Sequence, residues 1–181
     1  MTEIVVRDRV FTEYISAADL QDNIVQLSER IANDFASEEV FFLGVLNGSF
    51  MFFSDLMKAY PHPCQLGFIR AASYKGMESS GSVKFREAED LDIKGKDVII
   101  VEDIVDTGNT LKALFEFLKR YEPRSLKVCT LLFKREAYKA SLPIDYVCFE
   151  VKNKFLLGYG LDFDGLGRNT DSIYILKDET R

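Results

Sequence analysis

The chain has 181 residues, of which 47% are hydrophobic, 13% aromatic and 29% charged, a composition that excludes disorder, collagen and low complexity and suits one compact domain over residues 1–181. Its 23 basic and 29 acidic residues leave a net charge of −6, which argues against a nucleic-acid partner. Apolar runs such as Val40 to Leu46 and Val98 to Val101 fall far short of the roughly 18 residues that span a bilayer, and Met1 to Val10 is too charged for a signal peptide, so a cytoplasmic protein with no membrane partner is expected.

The elements alternate between helices and short apolar strands. Ser16 and Asp19 form a capping-box pattern ahead of Leu20, Ile24, Leu27, Ile31 and Phe35, whose spacing predicts an amphipathic helix. Val40 to Leu46 reads as a buried strand, Asn47 to Ser49 as a turn, and Phe50 to Tyr60 as a helix that Pro61 and Pro63 end. Leu66 to Tyr74 reads as a further strand. His62 and Cys64 follow the helix with neither a CxxC nor an HExxH spacing, which speaks against zinc. Cys64, Cys129 and Cys148 are odd in number and set among apolar neighbours, as buried thiols of a reducing compartment would be.

Lys75 to Asp92 interrupts the rhythm. It is rich in Gly, Ser and charge, with a short strand-like piece at Ser82 to Phe85, and reads equally as a lid or as a solvated insertion. Beyond it, Asp97 to Glu102, Ser125 to Phe133 and Asp145 to Val151 read as strands, with a helix from about Asn109 to Tyr121 carrying Leu111, Leu114, Phe115 and Leu118 on one face. Phe155 to Leu161 and Ser172 to Leu176 suggest two more strands. The order of elements predicts an α/β fold with a largely parallel sheet flanked by helices.

The informative stretch is Val98-Ile99-Ile100-Val101-Glu102-Asp103-Ile104-Val105-Asp106-Thr107-Gly108-Asn109-Thr110. An apolar strand runs into three acids and then a turn that opens a helix. At the carboxyl end of a parallel strand, such a turn offers backbone N–H groups and two hydroxyls to a phosphate, helped by the partial positive charge of the helix N-terminus. Glu102 and Asp103 can accept from vicinal ribose hydroxyls or hold Mg²⁺ through water. An acidic strand end with a threonine cap would account for Asp106 and Thr107, but not for three crowded carboxylates.

This stretch resembles the phosphoribosyl pyrophosphate (PRPP) signature of the type I phosphoribosyltransferases, in the form found in hypoxanthine-guanine phosphoribosyltransferases. The resemblance extends to Leu46-Asn47-Gly48-Ser49, to Ser73-Tyr74, to Lys134-Arg135, and to Lys154 through Asp162 with Arg168 beyond. It implies a Rossmann-like parallel sheet with a small hood made from terminal segments and a long flexible loop. It also implies transfer of the phosphoribosyl group from PRPP to a 6-oxopurine with Mg²⁺ as cofactor, and a homo-oligomer.

Residue by residue, the resemblance implies that Glu102 and Asp103 bind the ribose hydroxyls and take part in metal binding, and that Asp106 relays a proton at the purine N7. Asp106, Thr107, Gly108, Asn109 and Thr110 would hold the 5′-phosphate. Leu46, Asn47, Gly48 and Arg168 would contact the pyrophosphate. Lys134 would reach the 6-oxo group, Phe155 would stack on the ring, the Leu156 backbone would read the base edge, and Asp162 would lie at the base end and ligate Mg²⁺. Ser73 and Tyr74 would open the closing loop. Taken singly, Lys134, Phe155 and Arg168 have plain structural readings as strand-end, core and turn residues; their joint occurrence in the family's order favours the site.

Asn47 stands where many relatives carry lysine, so the turn lacks that cation and would act through backbone N–H groups, with Gly48 permitting close approach. The resemblance also implies a cis peptide at Leu46-Asn47. Two rivals remain: the same fold acting on xanthine, adenine or orotate, and a PRPP-sensing regulator that would need a basic face.

Overall fold

The computed structural model describes residues 2–35, 39–73, 83–87 and 91–177. A hairpin of β1 (Glu3–Val6) and β2 (Arg9–Ile15) leads into α1 (Ala17–Phe35), β3 (Val40–Leu46), α2 (Phe50–Ala59), β4 (Gln65–Ser73) and β5 (Val83–Glu87). Then follow β6 (Asp97–Val105), α3 (Asn109–Lys119), β7 (Ser125–Phe133), β8 (Tyr146–Glu150), β9 (Leu156–Leu157) and β10 (Ile173–Leu176).

The central sheet has the order β5-β4-β3-β6-β7-β8. The run from β4 to β8 is parallel throughout, and β5 is added antiparallel at the edge. Both faces are covered, as the near-continuous apolar strands require. Phe42, Ile99, Val101 and Cys129 pack with Leu20, Ile24, Leu27 and Ile31 of α1 and with Phe52 and Leu56 of α2. Phe41, Leu43, Val98, Ile100 and Val128 pack with Leu111, Leu114 and Leu118 of α3. The division follows the period of two along β3 and the first part of β6. α1 begins as its capping box predicts, with the Asp19 N–H donating to Ser16 Oγ at 3.2 Å and Ser16 Oγ donating to Asp19 Oδ2 at 2.6 Å. Cys129 is buried, and Cys64 and Cys148 are half-buried.

A second, antiparallel sheet of order β1-β2-β10-β9 is the hood. It joins both ends of the chain around Phe11, Leu157 and Tyr174. The N-terminal hairpin has no counterpart in the sequence-based reading, because β1 is four residues long and only half covered. The strand expected over Phe155 to Leu161 shrinks to β9, since Gly158, Tyr159 and Gly160 take φ values of 99°, 46° and 100° and turn the chain. The strand-like piece expected at Ser82 to Phe85 is β5, which lies on β4 with Ala71 opposite Phe85. Tyr74 and the greater part of the expected lid lie outside the described residues. Among the described residues no helix is long and apolar enough to cross a membrane.

Candidate active site

The carboxyl ends of parallel strands leave backbone groups and following turns at one edge of the sheet, where ligands of open α/β folds bind. Here β6 delivers the acids. Gly108 caps α3 with φ 83°, and a β-carbon there would run into the Tyr138 ring and Ala140, so the turn needs glycine for both its conformation and its space. The turn is pinned from behind by the Lys139 N–H donating to the Thr107 carbonyl at 3.2 Å. Glu102, Ile104, Val105 and residues 106–111 enclose a small cavity of about 90 Å³. All the residues expected to hold a 5′-phosphate, Asp106 to Thr110, line it.

β7 ends beside this turn. The Lys134 N–H donates to the Val105 carbonyl at 2.9 Å, which draws the lysine onto the end of β6. Its Nζ lies 3.1 Å from Asp106 Oδ2, with the lysine side chain 11% exposed and the aspartate 45%. A nearly buried ammonium therefore meets a half-open carboxylate that lines the cavity.

Glu102 and Asp103 face different neighbours. Glu102 is buried on the cavity side, and burial together with the Asp103 charge pushes its carboxyl well above the ordinary range. Asp103 packs on Gly48, where a β-carbon would overlap its carboxylate. Burial pushes Asp103 up to about 6, against the hydrogen bonds from the Ile104 and Asp103 backbone N–H groups and the attraction of Arg168; the Asp162 charge adds to the rise.

The turn before α2 has the cis peptide at Leu46-Asn47. Ser49 Oγ is buried and donates to the Val45 carbonyl at 2.6 Å, closing the turn onto β3. On the hood side, a β-carbon at Gly160 would collide with the Gly48 carbonyl, so the two glycines bring hood and sheet edge into backbone contact. Arg168 donates through Nη1 to the Gly160 carbonyl at 2.6 Å and pairs through Nη2 with Asp162 Oδ1 at 2.6 Å. The other oxygen of Asp162 accepts from the Gly165 N–H at 2.7 Å. Both oxygens of the expected metal ligand are thus engaged within its own loop.

Among the described residues no group of three or more His, Cys, Asp or Glu is placed to hold a metal by itself. Mg²⁺ takes one or two carboxylates and draws its remaining ligands from substrate phosphates and water. Asp103, beside Arg168 and Asp162, fits that limited role.

A phosphoribosyl transferase domain model matches residues 14–164. The chain belongs to this phosphoribosyltransferase family. It is 37% identical over 175 residues to the hypoxanthine-guanine phosphoribosyltransferase of Aquifex aeolicus, covering 96% of this chain and 98% of that one. It is 42% identical over 157 residues to the enzyme of that name from Mycobacterium bovis, covering 83% and 78%. A crystal structure of a hypoxanthine-guanine phosphoribosyltransferase from Bacillus anthracis superposes with a TM-score of 0.85 at 37% identity, over 96% of this chain and all of that one (100%).

In this phosphoribosyltransferase the hood carries Leu156 on β9, with Phe155 just before it. Phe155 is 42% exposed, with its ring 6.2 Å from Phe11 and 5.6 Å from Phe163. Leu156 is on the edge strand β9. The Phe155 carbonyl accepts from the Leu176 N–H at 3.0 Å, and Leu157 stands opposite Tyr174, so the antiparallel alternation turns the N–H and C=O of Leu156 outward from the sheet. Ser73 closes β4 opposite Val83. The sequence-based reading missed Arg70, whose Nη2 donates to Asn47 Oδ1 at 2.9 Å. Arg70 stands opposite Leu46 in the parallel register of β3 and β4, and a lone strand arginine gives no local signal of that pairing. It also missed Asp55 and Tyr159, whose side chains meet between α2 and the hood.

Proposed function

We propose that this phosphoribosyltransferase transfers the 5-phosphoribosyl group of PRPP to hypoxanthine or guanine in purine salvage, giving IMP or GMP and pyrophosphate. The names of its relatives support this reading. The observation that carries it is the Lys134–Asp106 pair, 3.1 Å apart beside the phosphate turn. O6 and N7 are neighbouring acceptor positions on one edge of a 6-oxopurine. An ammonium has donors for O6, while the adjacent carboxylate takes up the N7 proton as N9 attacks C1′ of the ribose.

The other residues divide the remaining tasks. The N–H groups and hydroxyls of residues 106–110 hold the 5′-phosphate at the start of α3. Glu102 and Asp103 orient the ribose by accepting from its hydroxyls, which bring donors to the buried Glu102 and add to the backbone N–H groups already on the half-buried Asp103. Phe155 offers a ring face to the base, and the outward backbone of Leu156 offers a donor and an acceptor to its edge. Arg168 and the backbone of Leu46 to Ser49 bind the pyrophosphate. Asp103 and Glu102 are carboxylates that could hold Mg²⁺, and Asp162 would join them by giving up its Arg168 or Gly165 partner; the ion when bound would offset charge on the departing pyrophosphate.

The same reading includes a cytoplasmic homo-oligomer. Phe50 and Leu66, 44% and 53% exposed, border an apolar groove of about 490 Å³ between α2 and β4 that a second copy would cover.

Radiolabelled hypoxanthine, guanine, xanthine, adenine and orotate, each supplied with PRPP and Mg²⁺, test the function directly. Labelled nucleotide from hypoxanthine and guanine is expected, with almost none from adenine or orotate. Nucleotide from adenine or orotate alone would overturn the assignment of the base, and no nucleotide from any base would overturn the transfer itself.

A further inference from the structure

Tyr159 is placed unusually for a large aromatic. It lies between two glycines at φ 46°, in the left-handed region, and its side chain is 2% exposed. Its N–H donates to the Thr170 carbonyl at 3.1 Å, and its hydroxyl donates to Asp55 Oδ2 on α2. Asp55 also accepts from Gln21 Nε2 of α1 at 2.9 Å and pairs with Lys58 Nζ at 2.5 Å. One carboxylate thus ties α1, α2 and the hood together. Burial acts to raise the Asp55 carboxyl, but hydrogen bonds from Lys58, Tyr159 and Gln21 outweigh it and hold the group below its ordinary value. Burial, and then the bond to Asp55, pushes the Tyr159 phenol well up, so it remains a donor at neutral pH.

This bond closes a ring of contacts whose far side is the pyrophosphate end of the site. α2 begins directly after the turn containing Gly48, with the Phe53 N–H donating to the Ser49 carbonyl at 2.7 Å. The Gly48 carbonyl is in contact with the α-carbon of Gly160, the residue after Tyr159. The Gly160 carbonyl in turn accepts from Arg168 at 2.6 Å. Moving the Tyr159 ring relative to α2 therefore shifts Gly160 against Gly48, and Arg168 with it. The base end, with Lys134 and Asp106, lies outside this ring.

We propose that Tyr159 and Asp55 are positioning residues that set the gap between the 46–49 turn and Arg168, and thereby the affinity for the pyrophosphate group of PRPP and for free pyrophosphate. The proposal rests on the reading that this turn and Arg168 bind pyrophosphate. Tyr159 and Asp55 would act through Gly160 and the 46–49 turn, since Tyr159 is buried and Asp55 is engaged by Gln21, Lys58 and Tyr159.

Tyr159→Phe removes one oxygen and keeps the buried ring. Forward and reverse kinetics with PRPP and with pyrophosphate, together with thermal unfolding, form the test. The expected result is a rise in KM for both PRPP and pyrophosphate of about tenfold, the scale of one hydrogen bond to a charged acceptor, with KM for hypoxanthine changed less than about twofold. Asp55→Ala is expected to reproduce this split, Asp55→Asn to retain most of the wild-type KM because its amide oxygen still accepts from the phenol, and Tyr159→Phe/Asp55→Ala to be no worse than the worse single variant. A lowered Tm with both KM values unchanged would make the bond purely structural and overturn the proposal. An equal rise in KM for hypoxanthine would overturn it as well. Wild-type protein that uses neither PRPP nor pyrophosphate would instead overturn the underlying reading of the site.

Discussion

Arg70 reaches Asn47 across two parallel strands, its Nη2 donating to Asn47 Oδ1 at 2.9 Å. The turn that lacks a lysine in its own sequence therefore has a guanidinium beside it, delivered by the register that sets Leu46 opposite Arg70. Arg70→Met is expected to raise KM for PRPP several-fold and to weaken its salt dependence, since a cation near a polyanionic ligand acts over about a Debye length. Asn47→Lys alone would set two cations together and bring no gain, whereas Asn47→Lys with Arg70→Met would recover affinity. Steady-state kinetics at two ionic strengths checks all three; an inert Arg70→Met would remove the guanidinium from the site.

Asp106→Asn is expected to lower kcat by roughly 10² to 10⁴, the usual contribution of a general acid or base, while KM for PRPP changes little. The same change leaves Lys134 facing an amide in place of a carboxylate. A variant that turns over hypoxanthine at the wild-type rate would remove Asp106 from proton transfer.

Lys134 has three donors and no acceptor, so it satisfies a 6-oxo oxygen and meets the amino group of adenine donor to donor. Discrimination of roughly 10⁴ against adenine is expected from a site built on such a bond. Lys134→Met should depress kcat/KM for hypoxanthine and guanine with little effect on PRPP affinity. Comparable kcat/KM for adenine and hypoxanthine in the wild-type enzyme would assign the selectivity elsewhere.

Asp103 links the site to stability. Its carboxyl is pushed up to about 6 from an ordinary value of 3.8, chiefly by burial, so the folded chain holds this proton more tightly than the unfolded one. The stabilisation from the bound proton is complete below the unfolded value and is lost as pH rises through about 6. The displacement corresponds to at most about 3 kcal/mol, reduced because part of the side chain meets water. Asp103→Asn carries no such titration. Denaturant unfolding of both proteins should therefore show the variant gaining on the wild type between pH 4 and 7, within about 3 kcal/mol. A difference that does not change with pH would contradict the raised carboxyl.

Most features that lie in contiguous residues were legible in the sequence, the half-covered β1–β2 hairpin being an exception. Strand and helix order followed from periods of two and 3.6, because burial of one face or stripe is written into neighbouring positions. The phosphate turn could be found for the same reason, with its acids, glycine and helix start all falling between Glu102 and Thr110. Tertiary structure alone decided the pairings across the fold. Asn47 and Arg70 are 23 residues apart, Asp106 and Lys134 are 28, and Asp55 and Tyr159 are 104. Each pair depends on strand register or on how the hood is seated, and local periodicity carries neither. The hood was expected only through the family resemblance; its seam was decided by the tertiary fold, since β2 and β10 pair only when residues 9–15 and 173–176 are brought together.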